Sequence, residues 1–513
     1  MSTSAPTSTP RSPSAVAPRR GAGRWLTGAA RRIPAAAWAC ALVAVLNCVA
    51  WSLITPAFQV PDEPDHYAYV EQLATAGRPP SNDAAALARL SSSEQALLIG
   101  LDTDRVRFHD YVPSIATRAQ HDELMRALGA SPSHSDGNGV SLAGSPQPPL
   151  YYALQVPAYA VGAVDTPLLS LQLMRLFSAL LGGVTVLCVF LFLREALPAH
   201  PWTWTVGALG VAFQPLFAFI SGGVNPDALL FATASALFLC LARGFRRGLT
   251  TRLAIVSGAV IAAGLLTKLN FAGLLPGAFA GLIVLGVRSE GGWSVRALRR
   301  PAIALAVAAA PFAAMVLANV LLWDRDPTGA TTGVFRPTEG ASLGGGLAYL
   351  VQLYLAHLPG TVRRIPESLA LRDVWVRGFV GWYGWVDTAF RSWVYTLGAG
   401  ILGVLATLAG VSLVRARAVV RRRLAELFVY AAMAAGLFAV VGANSYNLWV
   451  QDAGGGGQTR YLLPLLALYA ALLVLATRAF GRRWTPLIGV AIVLLTLADD
   501  IFSQLLTIAR YYA

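Results

Sequence analysis

The sequence is poor in charged residues, and this shortage limits the class of protein. Only 13% of the 513 residues are charged, whereas 56% are hydrophobic and the mean hydropathy is +0.56. Soluble globular proteins carry about 25% charged residues, so a soluble enzyme of this size is excluded. The long apolar runs instead predict an all-α polytopic membrane protein.

Lysine and cysteine are also scarce. Among 40 basic residues there is a single lysine, Lys268. The four cysteines lie inside apolar runs and have neither metal-site nor disulfide spacing, so we interpret them as packing residues. No internal repeat is evident, which disfavours a transporter built on repeats.

Eleven apolar runs predict eleven transmembrane helices. They lie at about 34–57, 171–193, 203–221, 226–242, 253–268, 271–287, 301–323, 392–414, 424–442, 461–477 and 485–509. Residues 148–164 are apolar too, but the segment is short and contains Pro157, so an interfacial or re-entrant helix is expected there. We expect a single membrane domain over 34–510, with juxtamembrane helices in two long loops, 58–170 and 324–391.

The arginines predict the orientation, because cytoplasmic loops are rich in basic residues. With the N-terminus inside, the inner segments carry 23 arginines and three acids, a formal charge of +20, and the remainder carries −6. The C-terminus and both long loops are then extracytoplasmic. The net charge of +14 reflects this topology, so no nucleic-acid partner is expected.

The N-terminal region is expected to stay on the cytoplasmic side. Residues 1–33 are rich in Ser, Thr, Pro and Ala, which is typical of a disordered tail. The apolar run that follows is too long for a signal-peptide core and has no convincing cleavage site, so we interpret it as a retained first span.

An acidic motif, PDEPDH, follows the first span. It places Asp62, Glu63 and Asp65 beside His66. Neighbouring carboxylates repel one another, so one of them could have a raised pKa and act as a base, or they could hold a divalent cation. The alternative is helix capping by Asp62 or Asp65 near Pro64. Capping needs one acid, whereas the motif has three.

Three cations are candidate ligands of a phosphate. Arg175 lies near the outer end of the second span, Lys268 in a short break between two spans, and Arg460 after a run of four glycines. A guanidinium binds phosphate bidentately, and an ammonium contacts it as a compact point charge. The alternatives are arginines that snorkel to the membrane surface and, for Lys268, chance.

Aromatic and polar side chains form a candidate set of sugar and acceptor contacts on the same predicted face. These are Asp65, His66, Tyr151, Tyr152, Asn225, Asp227, Trp382, Trp385, Asp387, Gln458 and Tyr461. The alternatives are an aromatic belt at the membrane surface and, for the Asn-Pro-Asp sequence, a helix start. Carboxylates, cations and aromatics on one face suit a substrate linked to a lipid phosphate.

The motifs PDEPDH, PPLYY, VNPDAL, LTKLNF, GWVD and QTRYLLP together resemble those of the GT-C superfamily of integral-membrane glycosyltransferases, in particular a bacterial branch labelled domain of unknown function 2142. The resemblance covers about residues 34–510. It implies transfer of a sugar from a polyprenyl-phosphate-linked donor to an envelope glycan or lipid acceptor. The reaction would take place outside the bacterial cytoplasmic membrane, usually with inversion.

The resemblance also implies roles for residues. Asp62 becomes the leading base and Glu63 the next, with a divalent cation as the one cofactor that these two could hold. Lys268 and Arg460 become contacts of the donor phosphate. Thr459 stands where the family usually has glycine, so a close approach of the backbone to the donor is in doubt there.

Two other functions remain open at the level of sequence. A lipid-linked glycan transporter or flippase would need polar residues at mid-membrane in several spans. A non-enzymatic envelope-assembly protein would need neither a base nor a phosphate site. Membrane lipids are expected partners in every case.

Overall fold

The computed structural model describes residues 33–83, 85–109, 111–114, 117–198, 201–328, 339–355, 372–451 and 457–513. The predicted disordered tail, 1–33, lies outside the described residues except for its last position.

Helices make up most of the described chain, as predicted. In chain order they are α1 Ala35–Ile54, α2 Glu63–Ala76, α3 Ser92–Gly100, α4 Thr103–Phe108, α5 Arg118–Gly129, α6 Leu150–Gly162, α7 Pro167–Ala196, α8 Pro201–Ala212, α9 Pro215–Ser221, α10 Asp227–Arg247, α11 Thr251–Leu265, α12 Leu275–Ser289, α13 Val295–Leu322, α14 Leu343–Tyr354, α15 Arg377–Gly381, α16 Ser392–Arg415, α17 Arg417–Arg422, α18 Leu424–Val450, α19 Leu466–Ala476 and α20 Thr485–Tyr512.

Short turns and one hairpin complete the described elements. The 3₁₀ turns Leu269–Leu274 and Thr459–Leu465 lead into α12 and α19, and a π-helical turn, Arg372–Val376, leads into α15. Strands β1 Trp382–Tyr383 and β2 Thr388–Ala389 pair antiparallel.

All eleven predicted apolar runs fall on helices, which confirms the fold class. Among the described residues, nine helices are long and apolar enough to cross a membrane, or ten if one bent pair counts as a single span. The remaining run is α11, which has only 15 residues. The count of eleven spans stays a prediction.

The bent pair is α8 and α9, which meet at 62°. Pro215 cannot continue the hydrogen bonding of α8. Gln214 instead caps the new helix, because its side-chain oxygen accepts a hydrogen bond from the Phe217 amide at 2.6 Å. The sequence predicted one span over 203–221 without this break, although a Gln-Pro step inside an apolar run was a visible signal for it.

Helix α6 is the segment expected at the interface. It has 13 residues with Pro157 inside, so it spans roughly 20 Å at 1.5 Å per residue, less than a bilayer core. It packs directly on α7: a Cβ atom at Gly162 would lie 2.3 Å from the backbone of Ser170. Only glycine permits this approach.

The loops predicted to be cytoplasmic and the loops predicted to be extracytoplasmic lie at opposite ends of the helix bundle. At one end, Glu195 forms ion pairs with Arg243, Arg246 and Arg247. At the other end, the two long loops meet, since Arg325 Nη2 donates to the Ser145 carbonyl at 2.6 Å. The arrangement agrees with alternating spans, and which end faces the cytoplasm stays a prediction.

A charge cluster at the end of an apolar cleft

Asp62 has an unusual backbone conformation at the junction between α1 and α2. Its φ of 63° and ψ of 9° lie in the left-handed region, and its side chain makes no capping hydrogen bond to α2. Aspartate tolerates this conformation better than most residues, although it remains uncommon. The capping alternative therefore does not account for Asp62.

The Asp62 carboxylate instead contacts a cation far away in sequence. Arg460 Nη2 donates to Asp62 Oδ2 at 2.5 Å. Arg460 Nε also lies 3.8 Å from Asp227 Oδ2, and Asp227 Oδ1 accepts from Lys268 Nζ at 2.6 Å. These four residues, Asp62, Arg460, Asp227 and Lys268, form what we call the charge cluster.

The breaks between helices position the charge cluster. Lys268 is the last extended residue before the 3₁₀ turn Leu269–Leu274, and Arg460 is the second residue of the turn Thr459–Leu465. Asp227 begins α10, where carboxylates are favourable to the helix dipole. The Tyr461 ring is close to both cations: its centroid is 5.1 Å from Lys268 Nζ and 5.3 Å from Arg460 Cζ.

Asn225 joins the acidic motif to the start of α10. Its Nδ2 donates to the Pro61 carbonyl at 3.2 Å, and its Oδ1 accepts from the Asp227 amide at 3.0 Å. Both Asn225 and Asp227 are fully buried. Neither side chain offers exposed surface for the predicted contact with an acceptor, and those roles stay predictions.

Some polar atoms of the charge cluster are unsatisfied. Within the described residues, Arg460 Nε and Nη1 and Asp227 Oδ2 are buried without a hydrogen-bond partner. Each such atom costs about 1–3 kcal/mol. Unsatisfied buried groups of this kind are expected where a ligand or ordered water completes a site.

The carboxylates of the motif differ in acidity. Burial raises the pKa of Asp62, but the nearby charges of Arg460 and Lys268 favour its charged form more, and its pKa falls to about 2. Burial, with repulsion from Asp62, raises the pKa of Asp65 to about 6. The expectation that one crowded carboxylate has a raised pKa is therefore met by Asp65 rather than by Asp62.

Glu63 and Arg175 form a separate, fully buried ion pair. Glu63 accepts from Arg175 Nε and Nη2 and also from the amides of Phe58 and Val224. Arg175 Nη1 and Nη2 donate to carbonyls at the end of α1. The pair fastens α7 to the entry of the first long loop. Its hydrogen-bonding capacity is used within the protein, which disfavours the predicted roles in catalysis and in donor binding.

The carboxylates do not fit a metal ion. Among the described residues, no three His, Cys, Asp or Glu side chains are arranged to hold one. Glu63 is committed to Arg175, and Asp62 is paired with Arg460. The expectation that Asp62 and Glu63 share a divalent cation therefore lacks the geometry it needs.

His66 and the paired tyrosines lie behind the charge cluster. Burial lowers the pKa of His66 to about 3, so its ring is neutral, and Nδ1 is 2.9 Å from the Tyr152 hydroxyl. Tyr152 stacks on Tyr69 at 3.7 Å, and Tyr151 contacts Ser178 at 2.8 Å. These rings are fully buried. They pack α2, α6 and α7 together and are not open to a sugar.

An open cleft is lined by Arg460 of the charge cluster and by Pro61, the residue before Asp62; its volume of about 420 Å³ includes space shared with solvent. Gln458 lies at the same end, while the side walls are apolar and come from α9, the π-helical turn and the hairpin: Leu216, Phe219, Ile220, Val374, Trp382 and Val386. The structure thus brings Trp382, Gln458 and Arg460 together, as predicted for one site.

Trp385 and Asp387 belong to the hairpin that closes one side. Trp385 Nε1 donates to the Phe58 carbonyl at 3.2 Å, and the Arg107 guanidinium lies 3.4 Å from its ring centroid. Asp387 accepts from the Trp385 amide and pairs with Arg510 at 3.1 Å. Both residues tie the hairpin to the first long loop and to α20.

Sequence reasoning missed the apolar wall and the partner of Thr459. Thr459 Oγ1 donates to the Val374 carbonyl at 2.7 Å. A Cβ atom at Gly378 would lie 2.1 Å from the same Thr459 Oγ1. The hydroxyl therefore closes the corner that a glycine at 459 would leave open. Neither the wall nor this contact has a local signal, because the partners are about 80 residues away in sequence.

Residues 45–469 match the model of a family described as predicted membrane protein (DUF2142). No curated protein is significantly similar to the chain. The fold is similar to that of solved structures of an oligosaccharyltransferase from Archaeoglobus fulgidus. The apo form has 14% identity and a TM-score of 0.40, with 92% of this chain and 56% of that chain covered.

A second structure from the same organism, AglB in complex with an inhibitory peptide and a dolichol-phosphate, has 13% identity and a TM-score of 0.40, with 93% and 56% covered. The chain thus spans about half the length of these structures, 56% in each.

Proposed function

This chain belongs to the family of predicted membrane proteins DUF2142, and on that premise we propose that it transfers a sugar from a polyprenyl-phosphate-linked donor to an acceptor of the bacterial cell envelope. The observation that carries the proposal is the position of Arg460, which lines an apolar cleft and is paired with Asp62. Lys268 lies nearby and is joined to Arg460 through Asp227. A lipid phosphate needs cations for its head and apolar walls for its chain.

In the proposed reaction, Arg460 and Lys268 hold the donor phosphate and Asp62 accepts the proton of the acceptor hydroxyl. The acceptor oxygen forms a bond to the anomeric carbon of the sugar as the bond from that carbon to the phosphate oxygen breaks. The bonding electrons leave with the polyprenyl phosphate, which gains one negative charge. The nearby cations stabilise that charge as it develops. Attack opposite the leaving group inverts the anomeric centre.

Asp65 is the second candidate for the base. Its pKa of about 6 is closer to neutral pH than that of Asp62, and a base works best when its pKa is near the working pH. Asp62 is preferred because its carboxylate contacts Arg460, the cation that also lines the cleft.

The transferase would act on the extracytoplasmic side of the cytoplasmic membrane, because the arginine-rich segments are predicted to face the cytoplasm and the long loops that shape the site to lie on the opposite side. Trp382 and Gln458 would contact the sugar, since both line the cleft beside Arg460. Trp faces stack well on sugar rings, and a Gln amide both donates and accepts hydrogen bonds.

The test compares the envelope glycan of a deletion strain complemented with wild type, Asp62→Asn or Asp102→Asn. Asp102 is a matched control, since it also has positive φ before a helix and pairs with a nearby arginine, but at the surface. We expect the deletion and Asp62→Asn strains to lack a sugar that the other two retain at equal protein level. An unchanged glycan in the deletion strain would exclude the transferase, and a normal glycan with Asp62→Asn would exclude this base.

A further inference from the structure

The charge cluster carries no net charge before a substrate binds. It contains two cations, Lys268 and Arg460, and two carboxylates, Asp62 and Asp227, in continuous contact. A phosphate approaching this site therefore meets no surplus of positive charge. One carboxylate must give way before the cations can hold the ligand at full strength.

The two carboxylates are not equally able to move. Asp227 is completely buried, and its amide is fixed by Asn225. The Asp62 side chain is 25% exposed, and its carboxylate accepts a hydrogen bond from Arg460 Nη2. Arg460 itself is only 5% exposed, and its other nitrogens are buried. The reachable face of Arg460 is therefore the one that Asp62 covers.

We infer that Asp62 occupies the place of the donor phosphate on Arg460, and that the phosphate displaces it there by exchange of one anion for another. The inference rests on the proposed function. Before binding, the carboxylate satisfies Arg460; after binding, the phosphate does so, and Asp62 is released toward the acceptor hydroxyl. The proposed base is thus withheld until the donor is in place.

The remaining members of the cluster support this exchange. Asp227 stays between Lys268 and Arg460 and keeps both cations from separating when Asp62 leaves. The unsatisfied Arg460 Nε and Nη1 provide two further donors, which a phosphate with three oxygens can use when the side chain shifts. A guanidinium suits such an exchange because its planar fork binds carboxylate and phosphate with the same geometry.

The exchange predicts whether removing the Asp62 charge strengthens or weakens the binding of a phosphate. If Asp62 competes with phosphate, Asp62→Asn removes the competing charge while asparagine keeps the left-handed backbone. The variant then binds a phosphate more tightly although it is inactive in transfer. A carboxylate that helped to bind the phosphate, for example through a cation, would show the reverse.

The experiment measures the dissociation constant of farnesyl monophosphate for the full chain in lipid nanodiscs, with farnesol and inorganic phosphate as separate probes. We expect Asp62→Asn to tighten farnesyl monophosphate binding by about tenfold, the effect of roughly one partly buried charge pair. Farnesol should bind wild type and variant equally. Inorganic phosphate should show the same gain at weaker affinity, which separates the phosphate group from its apolar chain.

Two further variants locate the effect. Arg460→Gln should weaken binding of farnesyl monophosphate, and adding Asp62→Asn to it should give no gain, because the contested cation is gone. Asp102→Asn, the surface control, should match wild type. An unchanged or weaker affinity of Asp62→Asn would overturn the exchange, as would a gain that persists without Arg460.

These outcomes separate the exchange from the transferase proposal. A tighter Asp62→Asn variant in a protein without transfer activity supports the exchange and excludes the transferase. An active wild type whose Asp62→Asn variant is inactive but binds no more tightly supports the transferase and excludes the exchange. Absence of farnesyl monophosphate binding in both proteins excludes both.

Discussion

Glu63 and Arg175 stand 112 positions apart in the chain, yet their side chains form a bidentate ion pair with distances of 2.8 Å and 2.5 Å. The pair lies between α7 and the start of the first long loop. Glu63 follows Asp62 directly in the sequence, but its role is structural, since its hydrogen-bond partners are all within the protein. Adjacent acids of one motif thus divide into a structural residue and a candidate base.

Glu63→Gln should strongly destabilise the fold, because it leaves the Arg175 charge buried without a counter-charge. Breaking a buried pair costs about 3–5 kcal/mol, whereas the surface pair of Asp102 and Arg105 is worth about 0–1 kcal/mol. The measurement is the thermal unfolding midpoint of the purified chain in detergent. Asp102→Asn is the control, and equal shifts for both variants would contradict a structural role for Glu63.

The close contact between Thr459 and Gly378 predicts that a second substitution restores the stability lost by a first. Gly378→Ala should lower stability and donor affinity, because the new Cβ would meet Thr459 Oγ1 at 2.1 Å and Thr459 Cβ at 2.8 Å. Combining it with Thr459→Gly removes both atoms and should recover most of the loss. Gly403→Ala, in α16 with nothing within 4 Å of the added Cβ, should be neutral or stabilising. Failure of the double variant to recover would argue against this contact.

Asp65 should make stability depend on pH in the acidic range. Burial and repulsion by Asp62 raise its pKa to about 6, while an unfolded Asp titrates near 3.9. The folded protein therefore binds the proton more tightly, so this contribution is fully present below about pH 4 and is lost as the pH rises through about 6.

The check is the unfolding midpoint at pH 4.5 and pH 7.5 for wild type and Asp65→Asn. The variant should gain stability at pH 7.5 and show a smaller difference between the two pH values. The comparison isolates Asp65 from Glu94, whose pKa is also raised by burial. Identical pH dependence in the two proteins would show that Asp65 is not the group responsible.

The predicted orientation can be tested by labelling introduced cysteines in intact cells. Ser135 and Arg421 are both exposed, in the first long loop and in α17 respectively. A membrane-impermeant maleimide should label Ser135→Cys in spheroplasts, and Arg421→Cys only after lysis. The native cysteines are buried except for half-buried Cys188, so wild type measures the background. The opposite pattern would invert the predicted topology.

The sequence by itself determined the class of protein and where its long apolar helices lie. A hydrophobic run long enough to cross a bilayer forms a helix whatever its neighbours are, because an unpaired backbone is too costly in lipid. Local pattern therefore located every apolar run, and it also selected Asp62, Lys268 and Arg460. The break before Pro215 was not predicted, although the Gln-Pro step there is a local signal for it.

Only the tertiary structure decided which charges meet. Asp62 and Arg460 are separated by 398 positions, and no spacing rule pairs residues at that distance. The fold also divided Asp62 from Glu63: the left-handed backbone at Asp62 sets its side chain toward Arg460, while Glu63 begins α2 and is enclosed with Arg175. The sequence shows which residues are acidic or basic. Which of them are in contact and which are buried depends on how the helices pack, and these two properties distinguish a candidate base from a structural carboxylate.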